Sequence, residues 1–414
     1  MKTNQSNQSK WANSFSENIK FIPLGNLVRL RNEKNDPVKL TQVLSLTAAR
    51  GVILYEDKGA IGNNASEDIT RYSIVCKGDI VLNSMNVIIG SVGLSSYDGV
   101  LSPVYYVLMP IQNNLIDMRF LYYHFQIRSF QKSLIRIGYG ILDHRMRIPW
   151  VNLKAEKIAV PPIEEQRRIV DFLDEETRRI DELITLKNMQ VKSYMAIQDS
   201  RKNEIIWENE NATLIPLRYL VKCNRNSLTA DTSPEFKFAY CDVGSVNFQS
   251  GISEELDNHT FADAPSRARR LANPGDVIFS MVRPYLRAVA IVPSNNSQYV
   301  FSTAFAVLES TSMTPEYIFE ILTTTRFLAE TEKWSSGMGY PAINQDDLMK
   351  IQVPYLDTVN QYERIFRLTE EQKNSSSLIQ KLETSIKALS EYKSSLIAEA
   401  VTGQLDINSK RSVT

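Results

Sequence analysis

Glycine, tyrosine, asparagine and arginine crowd a few short stretches of this 414-residue sequence. Together these side chains can hydrogen-bond base edges, grip phosphates and stack on planar rings. Gly138-Tyr139-Gly140 runs into Asp143, His144, Arg145 and Arg147. Glycine allows close backbone approach, tyrosine stacks or wedges, and arginine takes guanine or phosphate. An ordinary turn with solvated arginines is the plain alternative. A parallel stretch, Gly337-Met338-Gly339-Tyr340, lacks the arginines. Asn83-Ser84-Met85-Asn86 corresponds to Ser280-Met281-Val282-Arg283, which continues through Pro284, Tyr285, Leu286 and Arg287; each follows a strand-like run. Asparagine pairs bidentately with adenine, although a strand-end turn with arginine in a surface ion pair explains the same pattern. Arg267, Arg269 and Arg270 form the densest basic cluster. They suit a phosphate clamp that positions without specifying, or a solvated helix face.

Bond-making chemistry has no comparable signature. There is no G-x-x-x-x-G-K-[ST] phosphate loop, no G-x-G-x-x-G fingerprint and no Asn-Pro-Pro-Tyr-like amino-methyltransferase box. No strand carries a clear acidic-and-lysine nuclease pattern. His124, His144 and His259 are scattered, and Cys76, Cys223 and Cys241 form no C-x-x-C pair, so no metal site or disulfide framework is expected. Lys and Arg number 47 against 47 Asp and Glu, a balance that does not by itself point to nucleic acid. Its distribution is uneven: residues 21–160 hold sixteen basic side chains against eleven acidic ones. No apolar run approaches the roughly 18 residues of a membrane span, and the polar N-terminus lacks a secretory apolar core. A cytoplasmic location is the expectation.

The elements that must position these residues occur twice. Pro23-Leu24-Gly25-Asn26-Leu27-Val28 returns as Pro216-Leu217-Arg218-Tyr219-Leu220-Val221, and Lys77-Gly78-Asp79-Ile80-Val81-Leu82 as Pro274-Gly275-Asp276-Val277-Ile278-Phe279. Val160-Pro161-Pro162-Ile163, leading to Gln166, returns as Val353-Pro354-Tyr355-Leu356, leading to Gln361. The period is domain-sized, far above solenoid repeats. Within each copy, runs such as 80–82, 87–89 and 104–109, or 277–279, 289–292 and 305–308, read as strands. Patterns over 117–137 and 315–331 read as helix, and 148–160 as extended. Each copy is thus a mixed α/β or α+β head, and two diverged heads suit reading two halves of one target.

A long helical pattern follows each head. Proline stops the preceding strand, and Glu164 and Glu165 occupy the first helical turn, where the dipole favours acid. Apolar positions recur at Ile169, Leu173, Ile180, Leu183 or Ile184, Val191, Tyr194, Ile197 and Ile205 in the first helix. In the second they recur at Ile379, Leu382, Ile386, Leu389 and Leu396, the spacing of a coiled coil. Forty helical residues span roughly 60 Å, so each stripe needs the other as partner. Antiparallel pairing is the simpler connection, because parallel helices would oblige the second head to carry the chain back. It predicts heads at opposite ends of a rod related by a pseudo-twofold axis. The expected segments are a variable 1–20, a head over 21–160, a helix over 161–211, a head over 212–356, a helix over 357–407 and a tail over 408–414.

This order, with Pro161-Pro162-Ile163-Glu164-Glu165-Gln166, Ile169 and the tail Ala400-Val401-Thr402-Gly403, resembles the specificity subunit of type I restriction-modification enzymes. The second copy departs in keeping one proline and the glutamine without the Glu-Glu pair. The resemblance implies a non-catalytic chain in which each head is a target recognition domain reading half of a bipartite double-stranded DNA target. The helices would set the spacing and dock two methyltransferase subunits, with motor-endonuclease subunits completing the complex. S-adenosylmethionine, ATP and Mg2+ would serve those partners, and this chain would hold no cofactor. The loop and strand-end residues above then become DNA contacts, and the charged face Arg167, Arg168, Asp174, Glu175, Glu176, Arg178, Arg179 a partner dock or simply a solvated surface. The rivals are a duplicated protein-interaction scaffold, which the neutral charge favours, and a methyltransferase or nuclease with an unrecognised site.

Overall fold

A computed structural model describes residues 19–48, 50–59, 65–66, 68–112, 114–139, 146–208, 212–295, 297–337 and 339–407. The chain divides into two compact units, Met1–Asn188 with Thr384–Thr414, and Met189–Glu383. The boundary cuts both long helices, so each unit holds one head, the start of the helix that follows it and the end of the other helix.

In the first head the strands are β1 (Lys20–Pro23), β2 (Val28–Leu30), β3 (Leu44–Thr47), β4 (Gly51–Leu54), β5 (Ser73–Val75), β6 (Ile80–Asn83), β7 (Val92–Leu94), β8 (Gly99–Leu101), β9 (Tyr105–Pro110) and β10 (Lys157–Val160). The central sheet is antiparallel in the order β2-β9-β6-β7. Its strands are apolar without alternation because both faces are covered. Ile80, Leu82 and Leu108 enter one core with Phe120 and Phe125, while Val81 and Val107 enter another with Leu44, Leu46 and Val52. Gly93 on β7 has a packing reason to lack a side chain: a Cβ there would lie 2.7 Å from the Val52 nitrogen of β4.

The second head repeats the plan with β11 (Thr213–Pro216), β12 (Val221–Cys223), β13 (Lys237–Cys241), β14 (Val246–Asn247), β15 (Gly251–Ile252), β16 (Asn258–Thr260), β17 (Ala268–Leu271), β18 (Val277–Ser280), β19 (Val289–Ile291), β20 (Tyr299–Ser302), β21 (Phe305–Ser310) and β22 (Gln352–Tyr355). Its sheet β12-β21-β18-β19 matches β2-β9-β6-β7, and the ribbon β11-β22 matches β1-β10. Parallel pairing of β13 with β20 has its counterpart in a single parallel bridge between Val43 and Val100. The inward alternation also repeats, Val277 and Phe279 on one side and Ile278 on the other.

Several sequence expectations are corrected. Residues 87–89 form a 3-10 turn, not a strand, because the chain closes tightly between Asn86 and left-handed Gly90. The helix expected over 117–137 is two helices, Met118–Gln126 and Arg128–Ser133, broken where Ile127 is extended. Likewise Pro315–Leu322 and Thr325–Trp334 part at Thr323 and Thr324, whose second threonine caps the next helix. Residues 150–153 are one helical turn inside the supposedly extended stretch.

The long helices run Ile163–Trp207 and Thr358–Val401, 45 and 44 residues. In the first unit one helix leaves the head as the other returns to it, so they pair antiparallel. Ile169, Leu173 and Ile180 share a core with Leu396, Ile397, Ala400 and Val401, and Lys393 Nζ lies 2.6 Å from an Asp181 carboxylate oxygen. Leu183 is 46% exposed and does not belong to the seam; the neighbouring Ile184 packs instead. Val191, Ile379, Leu382, Ile386 and Leu389 are half-buried, whereas Ile197 is exposed. In the second unit Ile205 and Trp207 share a core with Leu368.

One buried glutamine fastens each helix to its head. Gln166 Oε1 accepts the Asp117 amide at 2.9 Å, and its Nε2 donates to the carbonyls of Pro161 at 2.8 Å and Leu115 at 3.2 Å. Gln361 Oε1 accepts the Thr314 amide at 2.8 Å and its Nε2 donates to Leu356 O at 2.6 Å. Both amides satisfy main-chain groups that burial would otherwise leave unpaired.

Candidate nucleic-acid interface

In the first head β6 delivers the chain to a turn that begins at Asn83. Asn83 Oδ1 accepts the Met85 amide at 2.9 Å, and Ser84 O accepts the Ile148 amide at 2.9 Å, tying this turn to the segment after the glycine loop. Tyr139 and Arg147 exchange two main-chain hydrogen bonds, each 2.9 Å. Tyr139 is 68% exposed and Arg147 is also exposed, so both present side chains outward from a fixed backbone. Gly140, Asp143, His144 and Arg145 lie outside the described residues. Asn83 and Asn86 are half-buried, but Ser84 is buried.

The equivalent turn of the second head brings together two residues far apart in sequence. Arg283 adopts a left-handed conformation, its amide donates to Pro341 O at 2.8 Å, and its guanidinium sits 4.9 Å above the exposed Tyr340 ring. A cation held on an aromatic face keeps its outer N–H donors available for a base or phosphate. Tyr285 is exposed beside it. Met338 lies outside the described residues.

Five expected contacts change character. Ser280, like Ser84, has no surface to offer: it is 1% exposed and its hydroxyl donates to Val282 O at 2.8 Å. Arg287 is held bidentately by Asp199 of the first long helix, at 2.9 and 3.2 Å, and lies 5.4 Å from the Phe248 ring. Its role is to fasten the head to that helix. Arg269 and Arg270 lie on strand β17, with Arg267 in the turn just before it, rather than on a helix face, and strand geometry sends neighbours to opposite sides. Arg269 folds over Phe261 and donates to Ala268 O, and Arg270 donates to Ser227 Oγ at 3.3 Å. Arg267 is the exposed member. Sequence reasoning missed Tyr105, which stands opposite Asn83 across the β6–β9 pair, because nothing local in the sequence gives that register.

Charged side chains on the first long helix mostly pair along it: Arg178 with Glu182, and Arg179 with Glu175 and Glu176. Among the described residues no helix is long and apolar enough to cross a membrane.

Residues 31–193 match the family model for the type I restriction modification DNA specificity domain. A chain in a structure of complex assembly and conformational transition of the type I R-M system superposes with a TM-score of 0.67 at 16% identity. That match covers 94% of this chain and 99% of the other, and shows a shared fold. The HsdS subunit from Thermoanaerobacter tengcongensis gives 0.49 at 15% identity over 94% and 98%, and the type I S subunit from M. genitalium 0.35 at 14% over 93% and 97%. No curated protein sequence matches the chain.

Proposed function

We infer, from a segment 31–193 that belongs to the type I restriction modification DNA specificity domain family, that the whole chain is the DNA-specificity subunit of a type I restriction-modification complex. The observation that carries the step from segment to chain is the internal duplication. The second head, beyond the matched segment, has the same four-stranded order, the same ribbon to its first strand and the same glutamine fastening. Two copies of one recognition fold with different exposed side chains suit a target whose two halves differ.

In this reading each head uses phosphate contacts for affinity and a few base contacts for choice. Tyr139 and Arg147 serve the first head, Arg283, Tyr340, Tyr285 and Arg267 the second. The chain supplies recognition and no chemistry; methyl transfer from S-adenosylmethionine and ATP- and Mg2+-dependent restriction belong to partner subunits in the cytoplasm. The helices set the spacing between half-targets and dock the two methyltransferase subunits. Ile169, Leu173, Ile180 and Leu396 are occupied by packing, so docking falls to outward residues. Val359, Tyr362 and Phe366, all exposed at i, i+3 and i+7, make an apolar stripe that suits this role.

Selection of bound duplexes from a random pool by the chain assembled with its methyltransferase subunits tests the reading. Two short conserved blocks separated by a fixed run of unspecified bases are expected. Sequence-independent retention would overturn it.

A further inference from the structure

We propose that the first head reads base edges inside a cleft beside its central sheet, with Arg50, Asn86 and Tyr105 determining which bases it accepts. The proposal rests on the reading of the chain as a DNA-specificity subunit and deepens it by naming where one half-target is read. The cleft, about 870 Å³, opens between the β3–β4 hairpin and the end of β6, and its walls include Arg50, Tyr55, Lys58, Asn83, Asn86 and Tyr105.

Three features make it a reading site and not a packing defect. First, its polar groups are positioned by backbone that is already fixed. The Asn86 amide donates to Asn83 O, and Asn86 O accepts from Ile89 and Ser91, each at 3.1 Å, while its side chain makes no cap hydrogen bond. Arg50 stands exposed at the hairpin tip; its amide donates to Thr47 Oγ1 at 3.1 Å, and one guanidinium nitrogen donates to Asp57 O at 2.6 Å. A guanidinium carries five donors, so this anchor leaves the fork able to address guanine O6 and N7, as the Asn86 amide can address adenine N6 and N7. Burial pushes the Tyr105 phenol above its ordinary pKa, and its hydroxyl, protonated at neutral pH like any tyrosine's, can donate to or accept from a base edge.

Second, the mouth carries apolar side chains that water does not favour. Ile89 and Val104 are both exposed and both line the cleft. Contacts of this kind suit the thymine methyl group.

Third, the site differs between the copies at matching register. In the first head Asn83 faces Tyr105 across β6 and β9; in the second Ser280 faces Phe305 across β18 and β21. Ser280 is 1% and Phe305 0% exposed, so the second head closes with apolar packing the position that the first leaves open and polar. The framework does not require the cleft; one head has it as a particular of its surface.

The test uses the full complex with R50A, N86A and Y105F chains, and reads the methylated motif of a host genome together with selection from random duplexes. Each substitution is expected to relax one or two positions of a single half-target, with about a ten- to hundred-fold loss of discrimination there. The other half and the spacer are expected to stay unchanged, which also certifies folding. An unaltered motif in all three variants, or uniformly weaker binding with every base preference intact, would overturn the cleft while leaving the specificity reading standing. Absence of any motif with the unsubstituted chain would instead remove the reading on which it rests.

Discussion

Arg287 occupies the left-handed position that Gly90 fills in the first copy, with φ of 53° and 84° respectively. A side chain there costs roughly 1–2 kcal/mol, and the bidentate pair with Asp199 offsets it. Arg287→Ala keeps the strain and loses the pair, whereas Arg287→Gly loses the pair and relieves the strain. Denaturant unfolding is therefore expected to rank Gly above Ala by about 1 kcal/mol; the reverse order would show that the left-handed backbone holds no strain for glycine to relieve. His124 gives a pH prediction. It is fully buried against Phe130, and burial lowers its pKa to about 3. The unfolded chain takes up a proton near pH 6.5, where the folded one does not. Stability is thus complete above that pH and falls as pH drops toward 3, by up to about 1.4 kcal/mol per unit. Comparing unfolding midpoints at pH 7.5 and 5, His124→Gln is expected to lose less than the unsubstituted chain. An equal loss would place the acid sensitivity elsewhere. Single residues are legible as chemical types in the sequence, Arg283 and Tyr340 among them. Their meeting is not, because it depends on the left-handed turn at 283, a conformation that arginine rarely adopts.

Among the elements, those set by local pattern were readable and those set by tertiary contact were not. Strand runs such as Ile80-Val81-Leu82 and the heptad spacing of the second helix stand out because period and apolarity are written locally. The break at Ile127 and the 3-10 turn at Val87 are invisible, since apolar residues there continue the pattern while packing bends the backbone. Leu183 and Ile184 were equivalent by spacing, and only the facing helix chooses the latter. The glutamine junction belongs to this scale. Removing its amide by Gln361→Ala leaves the Thr314 amide and Leu356 carbonyl buried without their partner, a loss of about 1–3 kcal/mol. Hydrogen exchange is expected to accelerate at the start of the helix Pro315–Leu322, which Thr314 caps. Unchanged protection there would show the junction to be dispensable.

At the scale of the molecule, the duplication makes the sequence unusually informative about fold: one copy of the motif order predicts the other. It says less about the target, because the two heads share framework and differ in exposed side chains whose placement is non-local. The proposed spacing role makes a geometric prediction. Four residues inserted into both helices add about 6 Å of helix, so the unspecified run in the target is expected to lengthen by about one to two base pairs. A motif with an unchanged gap would contradict it. Sequence recognition by the two heads is read out by the methylome of a host carrying the methyltransferase subunits, with the chain present, absent, or lacking residues 213–355. A split, asymmetric methylated motif that requires the chain is expected, with the loss of one specified half when the second head is removed. Methylation at the same sites without the chain, or no motif at all with active methyltransferase present, would contradict it.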